Sequence, residues 1–92
     1  MFDYTEEEKN TVLIKYFESR ESLRMTSFPK KQKQKYLCLL WIKTLFNENI
    51  QYTEKEVNEI LKPVHDDYVM IRRYLVDYGL LLREPDGSKY WV

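Results

Sequence analysis

The sequence predicts a mainly α fold with one small β-hairpin. Three observations in residues 52 to 92, YTEKEVNEILKPVHDDYVMIRRYLVDYGLLLREPDGSKYWV, carry that prediction. Two short amphipathic stretches stand a few residues apart. A glycine closes the second of them. A Pro-Asp-Gly turn then separates two apolar runs. Helix, tight turn, helix, hairpin is the layout of a winged helix-turn-helix, a common nucleic-acid-binding module.

The first stretch starts at Thr53, which has capping-box spacing with Glu56. The threonine hydroxyl accepts from the Glu56 N–H while the carboxylate reaches back. Val57, Ile60 and Leu61 then form one apolar stripe. Pro63 cannot continue a helix and biases Lys62 away from helical geometry, so the helix ends near Leu61. Asp66 or Asp67 caps the next helix. Tyr68, Ile71, Leu75 and Tyr78 share its buried face, with Tyr74 at the edge, and Gly79 suits a left-handed cap. In Glu84-Pro85-Asp86-Gly87-Ser88, proline presets φ and glycine supplies positive φ. Leu80 to Arg83 and Lys89 to Val92 are then the two strands of a wing.

Upstream, residues 1–19 read as a helix capped by Thr5 and Glu8, with Val12, Leu13, Tyr16 and Phe17 as its stripe. It is either a packing helix or an arm through which two copies pair. Residues 20–28 lack helical spacing, and Met25 to Phe28 would be extended and add a strand beside the wing. Pro29 suits the first turn of the next helix. From Tyr36 to Phe46 that helix is apolar nearly all round, which makes it a central pillar with Cys38 and Trp41 in the core. The N-terminal helix would flank it on one side, the helical pair and hairpin on the other. Ile50 to Tyr52 would pair briefly with the wing. The 92 residues suit one small domain, an N-terminal helix over 1–19 and a winged-helix core over 29–92.

Composition narrows the function. Fifteen basic and fifteen acidic side chains leave no net charge, which weighs against strong non-specific binding to nucleic acid. The neutrality is uneven: residues 29–47 carry five lysines and no acid, whereas residues 48–67 carry six acids and two bases. One cysteine, Cys38, cannot form an intramolecular disulfide, and nothing near it suggests a reactive thiol. No secretory signal and no long apolar run is present, so the expectation is a cytoplasmic protein with no membrane contact. His65, the one histidine, lacks a second ligand and reads as a turn or capping residue, so no metal is expected. No phosphate loop, nucleophile elbow or nucleophile–base pair occurs. No cofactor and no catalysis are expected.

The candidate binding residues lie on the helix from Asp67 to Tyr78. At about 100° per residue, with Ile71 facing inward, Val69, Arg72, Arg73 and Val76 fall on the opposite or lateral face. Arginine binds phosphate or guanine in bidentate fashion, and valine methyls meet thymine methyls. Tyr68 opens that helix. Arg83 and Lys89 of the wing would reach the adjacent backbone, and Thr53 would hold a phosphate. Lys30, Lys31, Lys33 and Lys35 crowd a helix start that already carries positive dipole charge. That mismatch suggests phosphate contacts; a solvated lysine face is the plainer alternative. Structural alternatives stand beside the rest too. Arg72 can pair with Asp66 or Asp67, Arg73 with Asp77, and the valines can pack under the N-terminal helix or against a second copy.

Several segments also resemble a known family. They are Phe28-Pro29-x-Lys31, Tyr52-Thr53-Glu54-Lys55-Glu56-Val57-Asn58, His65-x-Asp67, Ile71-Arg72-Arg73-x-Leu75-Val76-Asp77-Tyr78-Gly79-Leu80-Leu81 and Gly87-Ser88-x-Tyr90-Trp91. Together they resemble the bacterial family named domain of unknown function 2087, over about residues 20–92. That family is often attached to helix-turn-helix regulators. The resemblance therefore implies a role in bacterial transcription control, and it makes Arg72 and Arg73 part of the family signature. In such fusions the attached domain can be the DNA reader, leaving this module for dimerisation or sensing. The leading expectation is a small bacterial regulator that binds double-stranded DNA. The alternative is a protein-interaction or dimerisation module of a transcription complex, using the same valine–arginine face.

Overall fold

The computed structural model describes residues 2–19 and 21–92. Met1, the expected first residue of the N-terminal helix, and Arg20 lie outside the described residues. Four helices, α1 (Glu6–Tyr16), α2 (Gln32–Lys43), α3 (Glu54–Leu61) and α4 (Tyr68–Asp77), precede a hairpin of β1 (Leu82–Arg83) and β2 (Tyr90–Trp91). The fold is mainly α with a two-stranded antiparallel sheet. Tyr52 bridges Tyr90 through a reciprocal pair of 2.7 Å backbone hydrogen bonds, so the segment before α3 lies against the hairpin as expected. Helix, bridge strand, helix, helix, hairpin is the order the sequence predicted.

Local chemistry sets the element ends. Capping boxes at Thr5–Glu8 and Thr53–Glu56 start α1 and α3. Asp67 caps α4 by accepting from the Met70 N–H at 3.1 Å, and the Asp67 N–H donates to His65 Nδ1 at 2.9 Å. His65 is thus a turn residue. Gly79 has φ 72° just past α4, where its N–H donates to the Val76 carbonyl. Gly87 has φ 74° and closes the hairpin turn onto the Glu84 carbonyl.

The core is a single apolar cluster centred on α2, whose Leu37, Cys38, Leu39 and Ile42 are buried. Helix α1 contributes Val12 and Tyr16, α3 Val57 and Leu61, α4 Ile71 and Leu75, and the hairpin region Leu81 and Tyr90. Helix α2 contacts α1 on one side and α4 on another, so it is the pillar the sequence suggested. Burial pushes the Cys38 thiol up to about 12, which keeps it protonated and inert.

Four expectations need correction. Helix α1 stops at Tyr16, because Phe17 turns extended and pairs with Met25 in an antiparallel bridge. That bridge, and not the wing, takes up the extended segment near Met25. The Met25 N–H donates to the Val64 carbonyl at 2.8 Å and the Thr26 N–H to the Tyr16 carbonyl at 2.9 Å. Helix α2 begins at Gln32, with Lys31 as an N-cap that makes no side-chain cap bond, so Pro29 lies ahead of it and is buried. Phe28 stacks on Tyr74 at a 5.2 Å centroid distance, which anchors the chain just before that proline. Trp41 is only partly buried, at the margin of the core between α1 and α2.

Candidate nucleic-acid interface

Helix α4 sets the geometry. Ile71 and Leu75 are fully buried, which fixes the rotation of the helix about its axis. Val69, Arg73 and Asp77, spaced four apart, are then exposed together, and Val69 is 40% accessible. A groove of about 430 Å³ runs along this face, lined by Asp67, Val69, Met70, Arg73, Tyr74 and Asp77. A second cleft of about 250 Å³ lies between α4 and the hairpin, where Arg72, Arg73, Val76 and Asp77 meet Arg83 and Tyr90. Val76 is half-buried and packs on the core edge.

The two arginines part company. Arg73 is exposed and makes no ion pair among the described residues, so the alternative pairing with Asp77 is not formed. Arg72 turns toward α3. Its guanidinium sits 2.9 Å from Glu54 Oε1 and donates to Asn58 Oδ1 at 2.5 Å, with only 14% of the side chain accessible. Its partners are Glu54 and Asn58 instead of Asp66 or Asp67; Asp66 is taken by Arg24 at 2.6 Å. Sequence reasoning missed this clamp. The signal was present: Glu54 and Asn58 stand four apart and so share one face of α3.

The other candidates divide in the same way. Thr53 Oγ1 already accepts from the Glu56 N–H, and Glu54 and Glu56 bring negative charge to that helix start. Tyr68 is half-buried beneath the Lys62 ammonium, 5.8 Å from its ring centre. In the hairpin, Arg83 is exposed and donates to the Pro85 carbonyl at 3.1 Å, and Lys89 is exposed.

The lysines at the start of α2 do not act as one cluster. Lys33 pairs with Glu8 at 2.7 Å, and that ammonium holds the Glu8 carboxyl below its ordinary 4.5. Lys35 lies 4.7 Å from the Tyr74 ring centre and donates to its hydroxyl at 3.4 Å, beside the α4 groove. Lys30 and Lys31 are exposed, with no ion pair among the described residues. Positive charge near α4 therefore comes from Arg73, Arg83 and Lys35, against Asp67 and Asp77.

No group of three or more His, Cys, Asp or Glu among the described residues is placed to hold a metal. No helix among them is long and apolar enough to cross a membrane.

The chain is a small helical domain in which the second helix of a close pair presents Arg73, without an ion pair among the described residues, beside a hairpin. The chain belongs to the family described as an uncharacterized protein conserved in bacteria (DUF2087), whose model matches residues 24–92. Helix α1 lies outside the matched residues. No curated protein and no solved structure matches the chain.

Proposed function

We propose that this domain is a small bacterial transcription regulator that acts in the cytoplasm by binding double-stranded DNA, not by catalysis. The observation that supports this reading is the outward face of α4. Arg73 stands there unpaired between Val69 and Asp77, with Arg83 of the hairpin across the neighbouring cleft. A guanidinium so placed suits bidentate contact to guanine, and Val69 suits a thymine methyl. Arg83, Lys89 and the exposed Lys30 and Lys31 suit backbone phosphates. Arg72 works differently. It holds α3 to α4 and so sets the angle at which Arg73 is offered. Zero net charge and the acids at both ends of α4 make binding without sequence preference weak.

The test is Arg73→Ala, assayed against genomic fragments captured by the wild-type domain. Specific binding is expected to vanish while stability stays within about 0.5 kcal/mol of wild type. Unchanged binding would overturn the reading.

Asp67 and Asp77 favour a second reading, in which the same face meets a protein partner. Affinity for duplex DNA that falls steeply with salt supports phosphate contact, and no binding at low salt supports the protein partner. A homodimer would pair across the outer side of α1, where Ile14 is 65% accessible. Sedimentation of wild type against Ile14→Glu reads that directly.

A further inference from the structure

A cleft of about 140 Å³ opens between α1 and α2, away from the α4 face. Its lining is divided. Leu13, Phe17 and Trp41 give an apolar side, and Lys9, Asn10 and Ser19 a polar one. Leu37, Cys38 and Ile42 of α2 are sealed in the core, while Leu40, Trp41 and Leu45 are only partly buried, and of these it is Trp41, the largest side chain of the helix, that opens onto this cleft.

We propose that the cleft binds a small aromatic carboxylate: one six-membered ring bearing one acid group. The volume sets the size, since an apolar cavity of about 150 Å³ in another protein accommodates benzene. The indole edge and the Phe17 ring favour an aromatic body over an aliphatic one of similar bulk. The Lys9 ammonium sets the charge. It is 3.2 Å from Glu6 Oε2; the Lys9 side chain is 28% accessible, but that of Glu6 is 76% accessible. A pair with one partner so open to solvent is weak, so a ligand carboxylate that is partly shielded by the ring floor replaces Glu6 at little cost. Ser19 offers a hydroxyl on the same polar side. The bound molecule would sit on α2, the helix that also buttresses α4. Helix α1, which forms the other wall, lies outside the family match, so the site would be particular to chains that carry it.

The chain has two tryptophans, and Trp91 lies in β2, so the variant Trp91→Phe leaves Trp41 as the sole reporter. Its emission is titrated with sodium benzoate, with benzamide as the uncharged ring and with sodium acetate as the acid without a ring. Benzoate is expected to give a saturable change, with benzamide and acetate roughly tenfold weaker or more. Lys9→Met should weaken benzoate by a similar factor without moving the thermal midpoint, and Leu13→Phe should fill the cleft and abolish the signal. A response that stays linear in benzoate overturns the proposal. So does equal affinity for benzamide, or a Lys9→Met titration that matches wild type. Methionine keeps the length of the Lys9 stem, which is 28% accessible, so this last comparison holds even where Leu13→Phe fails to fold.

Discussion

Helices α1 and α3 begin with the same device. Thr5 with Glu8 and Thr53 with Glu56 form two complete capping boxes, each followed by acids in the first turn. Beyond that turn they differ. Helix α3 has eight residues, of which Val57 and Leu61 are wholly inaccessible, and its polar side grips Arg72 through Glu54 and Asn58. Helix α1 is longer at eleven residues, yet its buried Val12 and Tyr16 retain some exposure and Ile14 faces outward. Its polar ties to the rest include the surface pair of Glu8 and Lys33 and a Tyr16 hydroxyl that donates to Gln34 at 2.9 Å. A cap determines where a helix starts; the depth of its apolar stripe determines how firmly the rest of the molecule depends on it.

The strongest way to break this comparison is a pair of leucine truncations. Leu61→Ala in α3 should cost about 2–5 kcal/mol in urea unfolding, because it opens a cavity in a fully packed site. Leu13→Ala in α1, already beside a cleft, should cost clearly less. Equal losses would mean that α1 is as central as α3.

A second contrast sharpens the division between the arginines. Arg72→Ala should lower stability by about 1–2 kcal/mol, since it strips a hydrogen bond from Asn58 and an ion from Glu54 at a partly buried site. Arg73→Ala should be nearly neutral in the same unfolding assay.

The caps come next. Thr53→Ala and Thr5→Ala each remove a capping box, worth about 1 kcal/mol. The difference should be in reach. Thr53→Ala should lower the global unfolding midpoint, while Thr5→Ala should speed amide hydrogen exchange in α1 and leave the α3 and α4 amides as they were.

The smallest effect is in acid. Glu8 is held below its ordinary 4.5 by Lys33, with help from the Thr5 backbone, and Asp66 below its ordinary 3.8 by Arg24. A carboxyl depressed on folding contributes stability above its unfolded value and loses it as pH falls through the folded value. The Glu8 link should therefore weaken only below about pH 4.5 and the Asp66 link only below about pH 3.8, and Glu8→Gln should flatten the first part of the curve. Solvent screens both pairs, so the change should be slight.

Much of the fold was legible because its signals are local. Capping pairs three residues apart, Pro63 after α3, Gly79 after α4 and the Pro85-Asp86-Gly87 turn each act within a few residues. The bridge of Tyr52 with Tyr90 was readable once the hairpin was placed. What stayed hidden depends on distant partners. Arg72 meets Asn58 fourteen positions away, and Met25 meets Phe17 and Val64 on two different elements. Trp41 looked like core because α2 is apolar on every side, but periodicity does not report how far α1 extends over it. On α4 the expected outward placement holds for Val69 and Arg73, yet the sequence could not separate Arg72 from Arg73, because both lie outside the buried stripe.

The bridge between Phe17 and Met25 bears on where the chain can be trimmed. Its hydrogen bonds join the end of α1 to the corner at Val64, between α3 and α4. A fragment trimmed to the family stretch, residues 24–92, would strip Met25 of its strand partner and uncover apolar side chains of α2 that Val12, Tyr16 and Phe17 now cover. Such a piece should be sticky and prone to precipitate, so expression boundaries are better drawn ahead of Thr5 than at the edge of the shared sequence.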